Sequence, residues 1–470
     1  MALREQGVRV HTSAGTLADA AAAVLRDNDR GDHTVAAPQL YPHQWSWDSA
    51  FVAVGWASLS IDRALLELRS LLAGQWQTGM LPQIVFSSAP GYFPGPDRWR
   101  TEVAPTAPVG VSTSGICQPP VHGLAVHLIG AAAHRRGGAD AEAFDAFLAE
   151  TFDAWLGWHR WLANVRGTHP TGLVEIHHGW ESGMDNSPRW DGPYSRIEVG
   201  DLQPYRRQDL LHVADPAERP SDADYDRYVW LVDQLVAVRY DDVAARESID
   251  FRVGDTFFTA LHSLSARLLA RLGERLGRTA DAAELDAMAD AARSAVQSSV
   301  DPATGLARDH DHRADEWLST STIGGFAPLI CGTSQDGYDA LVAELLGPRW
   351  CGHPSLHLPQ PPTTSPDSPA FVAASYWRGP VWPVVSWLVT WCLDHHGRTE
   401  AAAALRSAGL AQLGDRTFGE YYHPLSGRSL GSSRQSWTAA AALAWTAAEQ
   451  AAEDAAGAAT AERNPVGDRG

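Results

Sequence analysis

The densest run of reactive side chains spans His177 to Asp191, H-H-G-W-E-S-G-M-D-N-S-P-R-W-D. It sets three carboxylates (Glu181, Asp185, Asp191) among two Trp, one Arg and two His. A carboxyl beside aromatic faces loses water, so its pKa rises and it can hold a proton for delivery as a general acid. The structural alternative is a capped helix start, with Asp or Ser bonding free backbone N–H groups. A second acid, Glu420, lies in F-G-E-Y-Y-H-P-L-S-G (Phe418 to Gly427), flanked by aromatics and glycines. Alone it reads as a surface hairpin acid. In Y-P-H-Q-W-S-W-D (Tyr41 to Asp48), Trp45, Trp47 and Asp48 have the types to stack on a sugar face and grip its hydroxyls. Their rival reading is core packing of the first long helix. S-Y-W-R-G-P-V-W-P (Ser375 to Pro383) follows a Pro-rich loop, as a rim-and-wall segment would.

Other chemistries lack support. Adjacent His177 and His178 carry no H-x-x-x-H pattern, and side chains at i and i+1 rarely converge, so no metal and no cofactor is expected. No G-x-S-x-G elbow, P-loop or G-x-G-x-x-G context is present. The net charge is −19, which argues against nucleic acid or an anionic membrane as partner through the overall field. The four cysteines form no C-x-x-C pair, against a zinc site or disulfide scaffold. The 19 Trp against 11 Tyr and 4 Met hint at flat, sugar-like ligands. The N-terminus lacks the pattern of a secretory signal, so a cytoplasmic protein is expected.

These segments must be positioned by helices. Stretches of helical length recur near 16–28, 47–59, 61–77, 119–136, 140–164, 222–238, 255–273, 278–299, 336–346, 376–396, 398–413 and 435–453. Period-2 alternation is scarce. Gly137-Gly138, Asp301-Pro302 and His396-Gly397 punctuate helix ends. A dozen helices make six αα-hairpins, the count of an (α/α)6 toroid, although a bundle or superhelix gives the same pattern. Long non-helical segments cover 79–118, 168–221 and 354–369, and such loops usually carry function. One catalytic domain is expected over 1–456, with a disordered tail over 457–470.

Together the four segments resemble glycoside hydrolase family 63. The run Glu181 to Asp191 is the most specific, and trehalases of a related clan carry a similar E-S-G-W-D run. Gln44 to Asp48, Tyr376 to Trp382 and Glu420 to Gly427 occur in matching order, and the likeness covers roughly 30–450. The chain is similar to the short bacterial members that hydrolyse glucosylglycerate or mannosylglycerate, the actinobacterial glucosylglycerate hydrolases above all. The resemblance implies an all-α (α/α)6 barrel with long loops over a central cavity, and an inverting mechanism. It puts Asp185 at the general-acid position and Glu420 at the general-base position. The chemistry agrees: inversion needs one protonated carboxyl for the departing oxygen and a carboxylate on the opposite face to activate water. Substrate positions implied are Tyr41, Trp45, Trp47, Asp48, Tyr92, Gln118, Gly183, Arg219, Tyr225, Tyr376, Trp377, Gly379, Trp382 and Gln435. Arg219 and Tyr225 are expected on the glycerate, because a planar anion suits Arg. The resemblance also suggests a homodimer or homotetramer.

Rival functions are another sugar on the same fold (mannosylglycerate, or a disaccharide such as trehalose), a non-catalytic carbohydrate-binding toroid, and an epimerase or lyase. Presence of both Asp185 and Glu420 disfavours the last two. The Arg219–Tyr225 element favours a glycerate-bearing substrate over trehalose. Glucose and mannose differ at one stereocentre, read by one or two hydrogen bonds, and the sequence does not separate them.

Overall fold

The computed structural model describes residues 16–463, apart from Pro90, His212 and Ala214. Six helices form an inner ring: Ser46–Ala57, His122–Arg136, Thr256–Arg275, Pro328–Cys331, Pro383–His395 and Ser436–Arg463. Each packs on the next, and the last returns to the first. Each also pairs with an outer helix: in the same order Ile61–Leu72, Gly138–Trp161, Thr279–Ser298, Gln335–Leu346, Thr399–Gln412 and Leu17–Asn28. This is the (α/α)6 toroid.

Sequence explains which helix lies inside. Ser46–Ala57 (SWDSAFVAVGWA) is apolar on every face, and all but Val54 are buried. Ile61–Leu72 (IDRALLELRSLL) is amphipathic and buries one stripe built on Ile61, Ala64, Leu65, Leu68 and Leu71.

Two expectations need correction. The helix expected near 222–238 exists as Asp222–Ala237 but stands outside the ring, packing on the loop helix Pro96–Trp99 and on Asp242–Ser248. The sixth hairpin instead uses Pro328–Cys331, too short for periodicity to register and preceded by Gly324-Gly325. The helix expected from 376 starts at Pro383, because Pro380 lacks a backbone donor while Pro383 suits a first helical position. The last helix runs to Arg463, into the stretch where a disordered tail was expected. The rest of that tail, and residues 1–15, lie outside the described residues.

Small antiparallel sheets organise the loops. Gln44–Trp45 pairs with Ile84–Val85, and Tyr421–Tyr422 with Ser429–Leu430. A four-stranded sheet joins Glu175–Ile176, Val253–Gly254, Asp309–Asp311 and Glu316–Leu318 in that order. All four cysteines are free. No helix among the described residues is long and apolar enough to cross a membrane.

Candidate active site

Where inner helices Ser46–Ala57 and Ser436–Arg463 begin, the long loops close around a cavity. From the first segment Tyr41, Trp45, Trp47 and Asp48 line it; from the 79–118 loop, Tyr92 and Gln118. Gly183 and Asp185 come from the acidic run, Arg219 and Tyr225 from the next loop and its helix. Tyr376, Trp377, Glu420 and Gln435 complete the wall. Both candidate catalytic carboxylates thus face one cavity.

The acidic run is sorted by burial. Glu181 is fully buried and holds Arg166 through two bonds (3.0 and 3.2 Å), while its oxygens also accept the N–H groups of His177 (2.6 Å) and Cys117 (3.3 Å). Burial opposes its charge, but Arg166 and His177 hold its carboxyl below the usual range. Asp191 is exposed and gripped by Arg378 at 2.6 and 2.8 Å. Arg189 anchors the run from beneath, bonding Asp255 (3.1 Å), which caps the inner helix Thr256–Arg275, and Asp309 (3.2 Å). Of the run's three carboxylates, Asp185 is the one that lines the cavity. Burial pushes its carboxyl up to about 8, Arg219 draws it down, and Glu420 adds to the rise. Gly183 makes the approach possible: its φ is +70°, and a Cβ there would meet Trp47 at 2.6 Å. Asp48 is also raised well above the ordinary value, by burial first and then by Glu420 and Asp185.

Glu420 has the opposite surroundings. Its carboxylate accepts the Tyr41 hydroxyl (2.7 Å), Arg219 Nη2 (2.8 Å) and the Ser432 backbone N–H (3.0 Å). Gly431, at φ +66°, lies against it, where a Cβ would come within 2.4 Å of Oε2. Arg219 is buried, donates through Nη1 to the Tyr41 hydroxyl (2.8 Å) and lies over the Tyr376 ring at 4.5 Å. Its Nε has no partner. The sequence suggests Arg219 for the substrate's anion; in the structure Arg219 is paired with Glu420.

Two expected substrate positions do not line the cavity. A Cβ on Gly379 would meet the Val372 carbonyl at 2.7 Å, so that glycine permits close loop packing. Trp382 stacks behind Trp377 (centroids 3.7 Å apart, planes 5° apart) and donates Nε1–H to the Tyr376 carbonyl at 3.1 Å. It thereby holds Tyr376 in a left-handed conformation, φ 36°, that a bulky residue rarely adopts. Conversely, sequence reasoning missed Trp180, Asp209, Tyr228 and Trp437, which line the cavity. Tyr228 was findable, one helical turn past Tyr225. Asp209 had no local signal; Arg207 fixes it through bonds of 3.0 and 2.7 Å.

Residues 41–438 match the family described as the mannosylglycerate hydrolase MGH1-like glycoside hydrolase domain. The chain is 49% identical over 433 residues to a glucosylglycerate hydrolase of Mycolicibacterium hassiacum, covering 91% of this chain and 97% of that one. It is 40% identical over 428 residues to a mannosylglycerate hydrolase of Thermus thermophilus, covering 91% and 99%. The crystal structure of a family 63 mannosylglycerate hydrolase from Thermus thermophilus, in complex with Tris and D-glycerate, superposes with a TM-score of 0.83 at 38% identity, over 92% of this chain and 100% of that one. With the toroid, the cavity and this agreement along almost the whole chain, the protein belongs to the MGH1-like glycoside hydrolases of family 63.

Proposed function

We propose that this glycoside hydrolase cleaves the α-glycosidic bond of glucosylglycerate with inversion, releasing glucose and glycerate. One observation carries the mechanism: two carboxyls face one cavity in opposite electrostatic settings. Asp185, raised to about 8, is protonated at neutral pH and gives its proton to the departing glycerate oxygen. Glu420, fixed by a guanidinium, a phenol and an amide N–H, takes a proton from the water that attacks the anomeric carbon. Trp45, Trp47 and Trp377 offer faces for the sugar ring, and Asp48 accepts or donates to a hydroxyl.

The glycerate carboxylate meets a protein of net charge −19, so its binding is local. Arg219 is the cation on the wall. Each of its terminal nitrogens has a second N–H beyond those given to Tyr41 and Glu420, and Tyr92, Tyr225, Tyr376 and Gln435 add neutral donors. The 49% identical glucosylglycerate hydrolase supports glucose as the sugar; the mannosylglycerate hydrolase at 40% supports the second reading, mannosylglycerate. Purified protein against glucosylglycerate, mannosylglycerate and trehalose, with free hexose measured, decides between them. Proton NMR of the first-formed hexose from an α-linked substrate should show the β-anomer. An initial α-anomer would sink the inverting mechanism.

A further inference from the structure

Outside the cavity, the four-stranded sheet carries a group of titratable side chains that the hydrolytic mechanism does not use. His310 lies on strand Asp309–Asp311 and His312 directly follows it. At strand spacing, residues two apart project from the same face. His169, from the loop that precedes strand Glu175–Ile176, meets them there: its ring stacks on His312 with centroids 3.6 Å apart and lies 5.5 Å from that of His310. One ring nitrogen from each histidine falls within 4.8 Å of the other two.

We propose that His169, His310 and His312 form a three-histidine site for a late first-row divalent cation, zinc first among them. One hydrogen bond prepares His312 for it. Glu175 bonds His312 Nδ1 at 2.7 Å, which puts the ring proton on Nδ1 and the lone pair on Nε2; that Nε2 is buried without a partner. A carboxylate behind a ligating imidazole is the usual second partner of such a ligand. His310 Nε2 faces Asp315 at 3.6 Å, and its Nδ1 is likewise buried and unpartnered. His169 Nδ1 accepts the Thr171 backbone N–H (3.3 Å) and has Thr171 Oγ1 at 3.0 Å; ligation through Nε2 requires the other tautomer, with the proton on Nδ1 donated to Thr171 Oγ1 in place of the amide contact. A tetrahedral ion with bonds of about 2.1 Å needs its nitrogens about 3.4 Å apart. The His169 and His312 rings are stacked with planes 16° apart, so their in-plane lone pairs do not yet converge; His169, half-buried on a loop, is the member that must rotate to bring its nitrogen onto the ion. Three histidines leave a fourth position for water.

None of the three lines the substrate cavity. The proposed role is a clamp. Glu175 also bonds His177 Nε2 at 2.7 Å, and the His177 N–H bonds Glu181 at 2.6 Å, at the root of the run that carries Asp185. A cation on the histidines fixes His312, and through it Glu175 and this root.

The test uses the full chain, purified without a polyhistidine tag and dialysed against a chelator. Zinc chloride titrated against a chromophoric competitor should load one equivalent, with micromolar or tighter affinity, and raise Tm. His169→Ala and His312→Asn should each weaken binding at least tenfold and abolish the Tm rise, with helicity by circular dichroism unchanged. No equivalent bound by the parent protein, or unchanged binding in either variant, overturns the site. Should a variant fail to fold, diethyl pyrocarbonate labelling of the parent protein reads the site directly: zinc should protect His169 selectively, and labelling unaffected by zinc overturns the proposal.

Discussion

The two walls of the cavity carry the same functional group and treat it in opposite ways. On one side Asp185 has its charge disfavoured by burial and by Glu420. On the other, Glu420 is more deeply buried yet accepts three directed bonds, one from a guanidinium. Both carboxyls are removed from bulk water; what differs is the donors that accompany them. The acid side lacks an ion-pair partner in contact, and the base side is built around one. That asymmetry is what the proposed roles require, a carboxyl that holds its proton facing one placed to accept directed hydrogen bonds.

The largest effects should come from removing either carboxyl. Asp185→Asn and Glu420→Gln should each lower turnover of glucosylglycerate by about 10²–10⁴. The walls should then separate on a glucoside whose leaving group departs as a stable anion. Such a substrate needs no proton, so it should recover much of its rate in Asp185→Asn and none in Glu420→Gln. Equal recovery in both, measured as kcat/KM, would merge the two roles.

Arg219 sharpens the comparison, because it serves the base wall and faces the substrate's anion. A charge-assisted bond is worth about 1.5–3 kcal/mol, or roughly 10–150-fold. Arg219→Lys keeps the charge but loses the fork that spans Tyr41 and Glu420. It should lower kcat on charged and neutral glucosides alike, and raise KM further only for glucosylglycerate. A KM change on the charged substrate with kcat untouched would confine Arg219 to binding.

The acid wall also predicts a pH dependence. A group that must be protonated, with its carboxyl raised to about 8, keeps kcat/KM intact below that value and loses about tenfold per unit above it. Asp185→Asn, assayed on the activated glucoside, should lack this alkaline limb. Its persistence would assign the limb to another group.

Much of this was legible before the structure. The amphipathic and Ala-rich stretches marked eleven of the toroid's helices, because periodicity survives wherever a helix is long enough to repeat. Pro328–Cys331 is a single turn and left no such mark, while Asp222–Ala237 repeats well and serves a loop. Site residues inside compact motifs were visible, Asp185 and Glu420 among them. Asp209 was not, since its place depends on Arg207 and on how a long loop folds. The Arg219–Glu420 bond joins residues far apart in sequence, and nothing local to either announces it. The histidine cluster was hidden likewise: His310 and His312 make an H-x-H, but His169 joins them only through the sheet.

The smallest effect is also the one in which the walls should differ in sign. The Asp185 carboxyl stands at about 8 in the folded protein against an ordinary value of 3.8. Between those values the folded state binds more protons than the unfolded one, so stability falls as pH rises through the window, by at most about 1.4 kcal/mol per unit. Below the window both states are protonated and the term vanishes. Asp185 is partly accessible through the cavity, so water tempers the slope. Asp185→Asn removes the term, and should melt above the parent protein by a margin that grows from pH 5 to pH 8. For a chain this long each kcal/mol moves Tm by only about 1 °C, so the gain is a few degrees. Glu420→Gln should do the reverse. It leaves Arg219 buried beside a neutral amide, and breaking a buried pair from one side costs about 3–5 kcal/mol. Its Tm should therefore fall at neutral pH, where the parent pair is intact. Calorimetry of both variants at pH 5, 6.5 and 8 reads the two signs. Shifts in the same direction, or a margin for Asp185→Asn that ignores pH, would mean that Asp185 is not held protonated by its burial or that the Arg219–Glu420 pair does not stabilise the fold.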